Sequence, residues 1–139
     1  MGKMSRDKGK RWEREVAQLF RRTFPGLPIK RGWQTRSGAD APDVDGAPVW
    51  VECKHAKGLA NADPFKALEQ AREAADAGKD PRPIAAFCKV GGGKIQHAPI
   101  MAVPIEFGLE LLRVWADRTA PPSGVAAPLP SDAAVVTTT

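Results

Sequence analysis

Apolar and polar positions recur along this chain with two different periods, and each period marks an element. Over residues 10–24 the apolar set Trp12, Val16, Ala17, Leu19, Phe20 and Phe24 repeats at helical spacing, and Pro25-Gly26 stops it. Residues 27–35, with Ile29 and Trp33, read as a strand, and residues 36–41, with Ser37, Gly38 and Asp40, as a loop. Residues 49–54 alternate and favour β-structure, with a four-residue hairpin loop at 45–48 before them. Asp63 can cap a helix whose first position suits Pro64; it should run to about Ala77 and end near Gly78. Residues 84–90 are apolar and β-like, Gly91-Gly92-Gly93 is a turn, and residues 94–103 give another strand, interrupted at Pro99. Pro104 opens an apolar helix to about Ala116, and from Ala120 the composition collapses to that of a disordered tail. The order is α-β-β-β-α-β-β-α. It predicts a single-domain α/β fold, a central mixed β-sheet flanked by helices, over residues 10–118. A flexible basic arm (1–9) precedes it and a Pro/Ala/Thr tail (119–139) follows.

The same periods orient side chains. In the strand at 49–54, Val49, Val51 and Cys53 face one way, and Trp50, Glu52 and Lys54 the other. A carboxylate and an ammonium thus share a face of a strand otherwise fit for the core; an exposed ion pair is the plainer reading. With 45–48 as a four-residue loop, Val44 opposes Val49 and Asp43 opposes Trp50. Asp43 then lies diagonal to Glu52, about 7–8 Å away. On the first helix, at about 100° per residue, Glu13 falls inside the apolar stripe and Glu15 on its wet side. A charge in an apolar stripe is costly unless it is paired or binds a metal. Glu13 therefore reads as a metal ligand or as one half of a partly buried salt bridge to an arginine. Three carboxylates suit Mg²⁺, a hard cation, and Lys54 could steady the attacking water and developing negative charge of phosphodiester hydrolysis.

Composition adds partners and exclusions. The 139 residues carry a net charge of +5. Residues 1–36 hold 11 Lys+Arg against 3 Asp+Glu, and the remainder 10 against 13. A basic third joined to an acidic remainder suggests a phosphate-facing surface rather than a merely solubilising run of charge. Lys8, Lys10, Arg11 and Arg14, with Lys3 and Arg6, are the candidate DNA-backbone contacts. No stretch is apolar enough for a membrane span, and the N-terminus has no secretory h-region. Two cysteines, Cys53 and Cys88, make no disulfide scaffold, so a reducing, cytoplasmic setting is expected. Gly91-Gly92-Gly93-Lys94 lacks the phosphate-loop pattern, and His55 and His97 lack partners at zinc spacing. Trp33 and Trp50 could stack on bases, with packing the default.

The ordered set Pro42-Asp43 then Glu52-Cys53-Lys54, preceded by Lys8-Gly9 and Glu13-Arg14-Glu15, resembles the PD-(D/E)xK nuclease superfamily. It looks most like archaeal-type Holliday junction resolvases and related phage nucleases, which would act in a host cytoplasm. The resemblance covers about residues 5–90. It implies a restriction-endonuclease-like fold with Glu13, Asp43, Glu52 and Lys54 catalytic. It also implies Mg²⁺, with Mn²⁺ as a substitute, held by Glu13, Asp43, Glu52 and the Cys53 backbone carbonyl. Arg36-Ser37 resembles a loop that approaches DNA, and Gln70 an auxiliary glutamine, although a surface role fits Gln70 equally. Asp40 is a rival to Asp43 but lacks the preceding Pro. The implied activity is Mg²⁺-dependent cleavage of branched DNA, a four-way junction, by a homodimer. The apolar helix at 105–116 either completes the core or supplies the dimer face. A nickase, a flap or single-strand endonuclease, and a DNA-binding protein without catalysis remain alternatives.

Overall fold

The structure, a computed structural model, describes residues 2–32, 41–91 and 97–120. Its elements are α1 (Gly2–Thr23), β1 (Lys30–Arg31), β2 (Val44–Asp45), β3 (Trp50–Ala56), a 3₁₀ turn at Leu59–Asn61, α2 (Pro64–Ala77), β4 (Ile84–Val90), β5 (Ile100–Ala102) and α3 (Ile105–Thr119). The chain is α/β, with a mixed three-stranded sheet and flanking helices. β3 and β4 run parallel with Trp50 beside Ile84, and β4 and β5 run antiparallel with Phe87 beside Met101. The parallel step requires a crossover, which α2 provides. β1 and β2 form a separate antiparallel ribbon.

Alternation in β3 and β4 divides the sheet into two faces. Trp50, Ile84, Ala86 and Cys88 meet the alanine stripe Ala67, Ala71, Ala74 and Ala75 of α2, small residues that let helix and sheet approach closely. The opposite face takes α1. Phe20 packs edge-on against Phe87 at 5.3 Å, and Trp12 Nε1 donates to the Phe87 carbonyl at 2.8 Å. Val16, Val44 and Val51 are fully buried, each contributing about 1.5–3 kcal/mol by leaving water.

The expected bounds of α2 hold. Asp63 caps it by accepting the Lys66 N–H at 3.1 Å, Pro64 occupies the first turn and Gly78 ends it. The strand expected at 84–90 is β4 as observed.

Several expectations are corrected. The loose arm at 1–9 is instead the start of α1, because Lys, Arg and Met favour helix and one internal glycine, Gly9, costs only about 1 kcal/mol. The hairpin joining residues 43–44 to 49–50 does not form. Val44 pairs with Arg31, not Val49, and Asp43 N–H donates to Val51 O, not to a ladder opposite Trp50. Pro48 has no N–H to give such a ladder. Gly46, at φ +82°, turns the chain away from it. Of the strands expected at 27–35 and 94–103, the described residues form β1 and β5, while residues 33–40 and 92–96 lie outside the described residues. The last helix extends to Thr119, and the tail from residue 121 also lies outside them. Two compact units divide between Pro104 and Ile105. No residue of α3 is buried. Among the described residues no helix is long and apolar enough to cross a membrane.

Candidate active site

β3 is an edge strand of the three-stranded sheet, and Asp43 lies against its outer edge. Trp50 N–H points inward, donating to Pro83 O at 2.7 Å on the β4 side. Two residues apart, peptide groups leave a strand on the same side, so Val51 and Cys53 present theirs outward. Asp43 meets both: its N–H donates to Val51 O at 2.9 Å, and its Oδ2 accepts the Cys53 N–H at 2.7 Å. The carboxylate takes the place of a neighbouring strand's carbonyl. The Cys53 carbonyl faces the same edge.

Glu52 and Lys54 lie on the α2 face of β3, opposite Ala86 and Cys88. Glu13 arrives from the other layer: α1 buries it at 9% exposure, where the helical wheel puts it, while Glu15 stays half-exposed and pairs with Lys89 at 2.9 Å. The Glu52 carboxyl is pushed up from its ordinary 4.5 to about 8. Burial is the first cause and the Asp43 charge the second; Lys54 opposes the rise, and Glu13 adds to it. The Cys53 thiol is also driven up, by burial and then by Asp43, Glu13 and Glu52. Asp43 and Glu13 therefore act on both groups, and Glu52 acts on the Cys53 thiol as well.

As placed, no three His, Cys, Asp or Glu side chains among the described residues converge closely enough to hold a metal ion. Two contacts bear on this. Arg31 Nε lies 3.4 Å from Glu13 Oε1, and one Asp43 oxygen is engaged with Cys53 N–H. In chemical type the donors fit a hard divalent cation: three carboxylates and an edge carbonyl, with burial first and the neighbouring Asp43 charge second favouring the protonated form of Glu52.

Lys8, Lys10, Arg11 and Arg14 are exposed along α1. Gln70 is exposed on α2. Arg36, Ser37, Asp40 and Trp33 lie outside the described residues. Trp50 is core, with the Arg82 guanidinium 5.7 Å over its ring, so it packs and is not open to a base. Arg31 was not singled out by the sequence. Its contact with Glu13 is made in three dimensions, and nothing in the local pattern marks it. No family model, curated protein or solved structure matches the chain.

Proposed function

We propose that the protein is a Mg²⁺-dependent, structure-selective DNA endonuclease of the PD-(D/E)xK type with a restriction-endonuclease-like topology. The preferred substrate would be a four-way junction cut by a homodimer. The observation that carries this reading is that the Asp43 and Glu13 charges both act on the buried Glu52 carboxyl, with Lys54 two residues further along β3 and basic α1 in the adjoining layer. Glu13, Asp43, Glu52 and the Cys53 carbonyl would hold the Mg²⁺, or Mn²⁺ in its place. The bound cation would supply charge neutralisation at the phosphate and a more acidic water. Lys54 orients the water that attacks phosphorus and offsets charge developing on the phosphoryl oxygens. The exposed Lys8, Lys10, Arg11 and Arg14 hold flanking phosphates.

Incubation of labelled junction, flap and linear duplex with the protein, in Mg²⁺ and in chelator, tests the proposal. Cleavage of the junction in Mg²⁺ alone is expected. Asp43→Asn and Glu52→Gln should each lower the rate by about 100-fold or more with DNA binding largely kept. Preference for a flap or a nicked product would assign a different nuclease of the same type. Absence of cleavage on every substrate, with the fold intact, would sink the enzymatic reading. A second reading rests on the Arg31–Glu13 contact: a DNA-binding protein whose acids are structural ion partners. It predicts DNA binding indifferent to Mg²⁺ and no Mg²⁺ uptake that Glu52→Ala abolishes.

A further inference from the structure

α1 carries a groove that shares Arg11 and Arg14 with the phosphate contacts proposed above and adds Gln18, Arg21 and Arg31, which that reading leaves unused. Arg11, Arg14, Gln18 and Arg21 follow one another at helical spacing, and with Arg31 of β1 they line an open groove of ≈ 380 Å³. Glu15 is the acid in its wall, and its carboxylate is engaged by Lys89 Nζ at 2.9 Å, which offsets its charge. Arg21 spends its Nε on the Ile29 carbonyl at 3.0 Å, which anchors the stem and leaves its terminal nitrogens to the groove. From Arg11 to Arg21 the helix rises about 15 Å, the axial length of about four nucleotide steps at 3.4 Å each. Arg31 belongs to both features, since it lines the groove and its Nε lies 3.4 Å from Glu13 Oε1.

We propose that this groove seats the phosphate backbone of a DNA strand leading to the acidic edge, and that an incoming phosphate draws Arg31 away from Glu13. The groove is thereby a phosphodiester-binding site, and Arg31 a positioning residue that ties its occupancy to the freedom of Glu13. The role of Arg31 rests on the nuclease reading; the groove itself does not. Guanidinium groups in this spacing suit phosphate oxygens, which they can contact bidentately.

Fluorescence anisotropy of labelled duplex DNA, in chelator and across a salt series, separates the two. Arg14→Ala should weaken binding about fivefold and reduce the slope of log affinity against log salt by about 1. Gln18→Glu, which replaces an amide by a negative charge at nearly the same size, should weaken it at least as much. Arg72→Ala, exposed on α2, should change neither quantity. Unaltered affinity and slope in both Arg14→Ala and Gln18→Glu overturn the groove, as does tenfold or greater preference for duplex RNA. For Arg31, calorimetry with Mn²⁺ supplies opposite signs: Arg31→Ala should bind DNA more weakly yet bind Mn²⁺ more tightly without DNA. Losses of both together, or no Mn²⁺ binding in either protein, reject the exchange. Altered salt slopes without any cleavage leave the groove standing while the nuclease reading fails.

Discussion

Glu52 is the residue in which burial and charge act together. Its folded-state carboxyl, raised to about 8, keeps a proton that the unfolded chain has already lost above its ordinary 4.5. The folded state therefore binds more protons between about pH 4.5 and 8. Stability must fall as pH rises through that window and level off above it. Glu52→Gln removes this penalty, so the variant should exceed the native chain by up to about 4 kcal/mol at pH 8 and match it near pH 4. Urea midpoints at the two pH values measure the difference. Much of this was legible beforehand, because strand alternation and the helical wheel are local rules, and they put Glu52 and Lys54 on one face and Glu13 inward. The route by which Asp43 reaches Glu52 was not. Its carboxylate binds a peptide N–H at the edge of β3, a contact that no face-parity rule contains.

At the scale of elements, the boundaries that were legible are those with chemical markers at the ends. α2 begins at a capping Asp63 followed by Pro64 and stops at Gly78, so three residues define it without reference to the rest of the chain. Asp63→Ala should cost about 1 kcal/mol, seen as a lower urea midpoint with unchanged denaturant slope. The β1–β2 ribbon offered no such markers. Two-residue strands have no period to read, and their pairing depends on where Gly46 directs the chain. At φ +82° a side chain is strained, and a Cβ at Gly46 would run into the Pro28 carbonyl. Gly46→Ala should therefore destabilise by at least ~2 kcal/mol, more than an ordinary glycine-to-alanine change, and disturb the placement of Asp43. Thermal unfolding and DNA cleavage, measured on the same preparation, should fall together.

The whole molecule shows an uneven distribution of apolar surface. Among the described residues every buried hydrophobic one lies between Trp12 and Cys88, whereas α3 exposes Ile105, Leu109, Leu112, Val114 and Trp115, the last four at 58%, 61%, 64% and 61%. Glu106, Glu110, Arg113 and Asp117 follow one stripe of that helix, so its apolar arc is far broader than one face. Helices apolar over most of their circumference are normally covered by other chain. The homodimer proposed for cutting both strands of a junction requires such a surface, because a C2 pair uses the same patch twice. Sedimentation of the full chain should thus give a dimer, and Leu109→Glu with Leu112→Glu should give a monomer. Since neither side chain belongs to the core, the double variant should keep its unfolding midpoint within about 0.5 kcal/mol of the native chain. Junction binding through α1 should persist, while coordinated cleavage of two strands is replaced by single nicks. A monomeric full chain that still makes paired cuts would refute the dimer, and loss of stability in the double variant would show that α3 serves the fold instead.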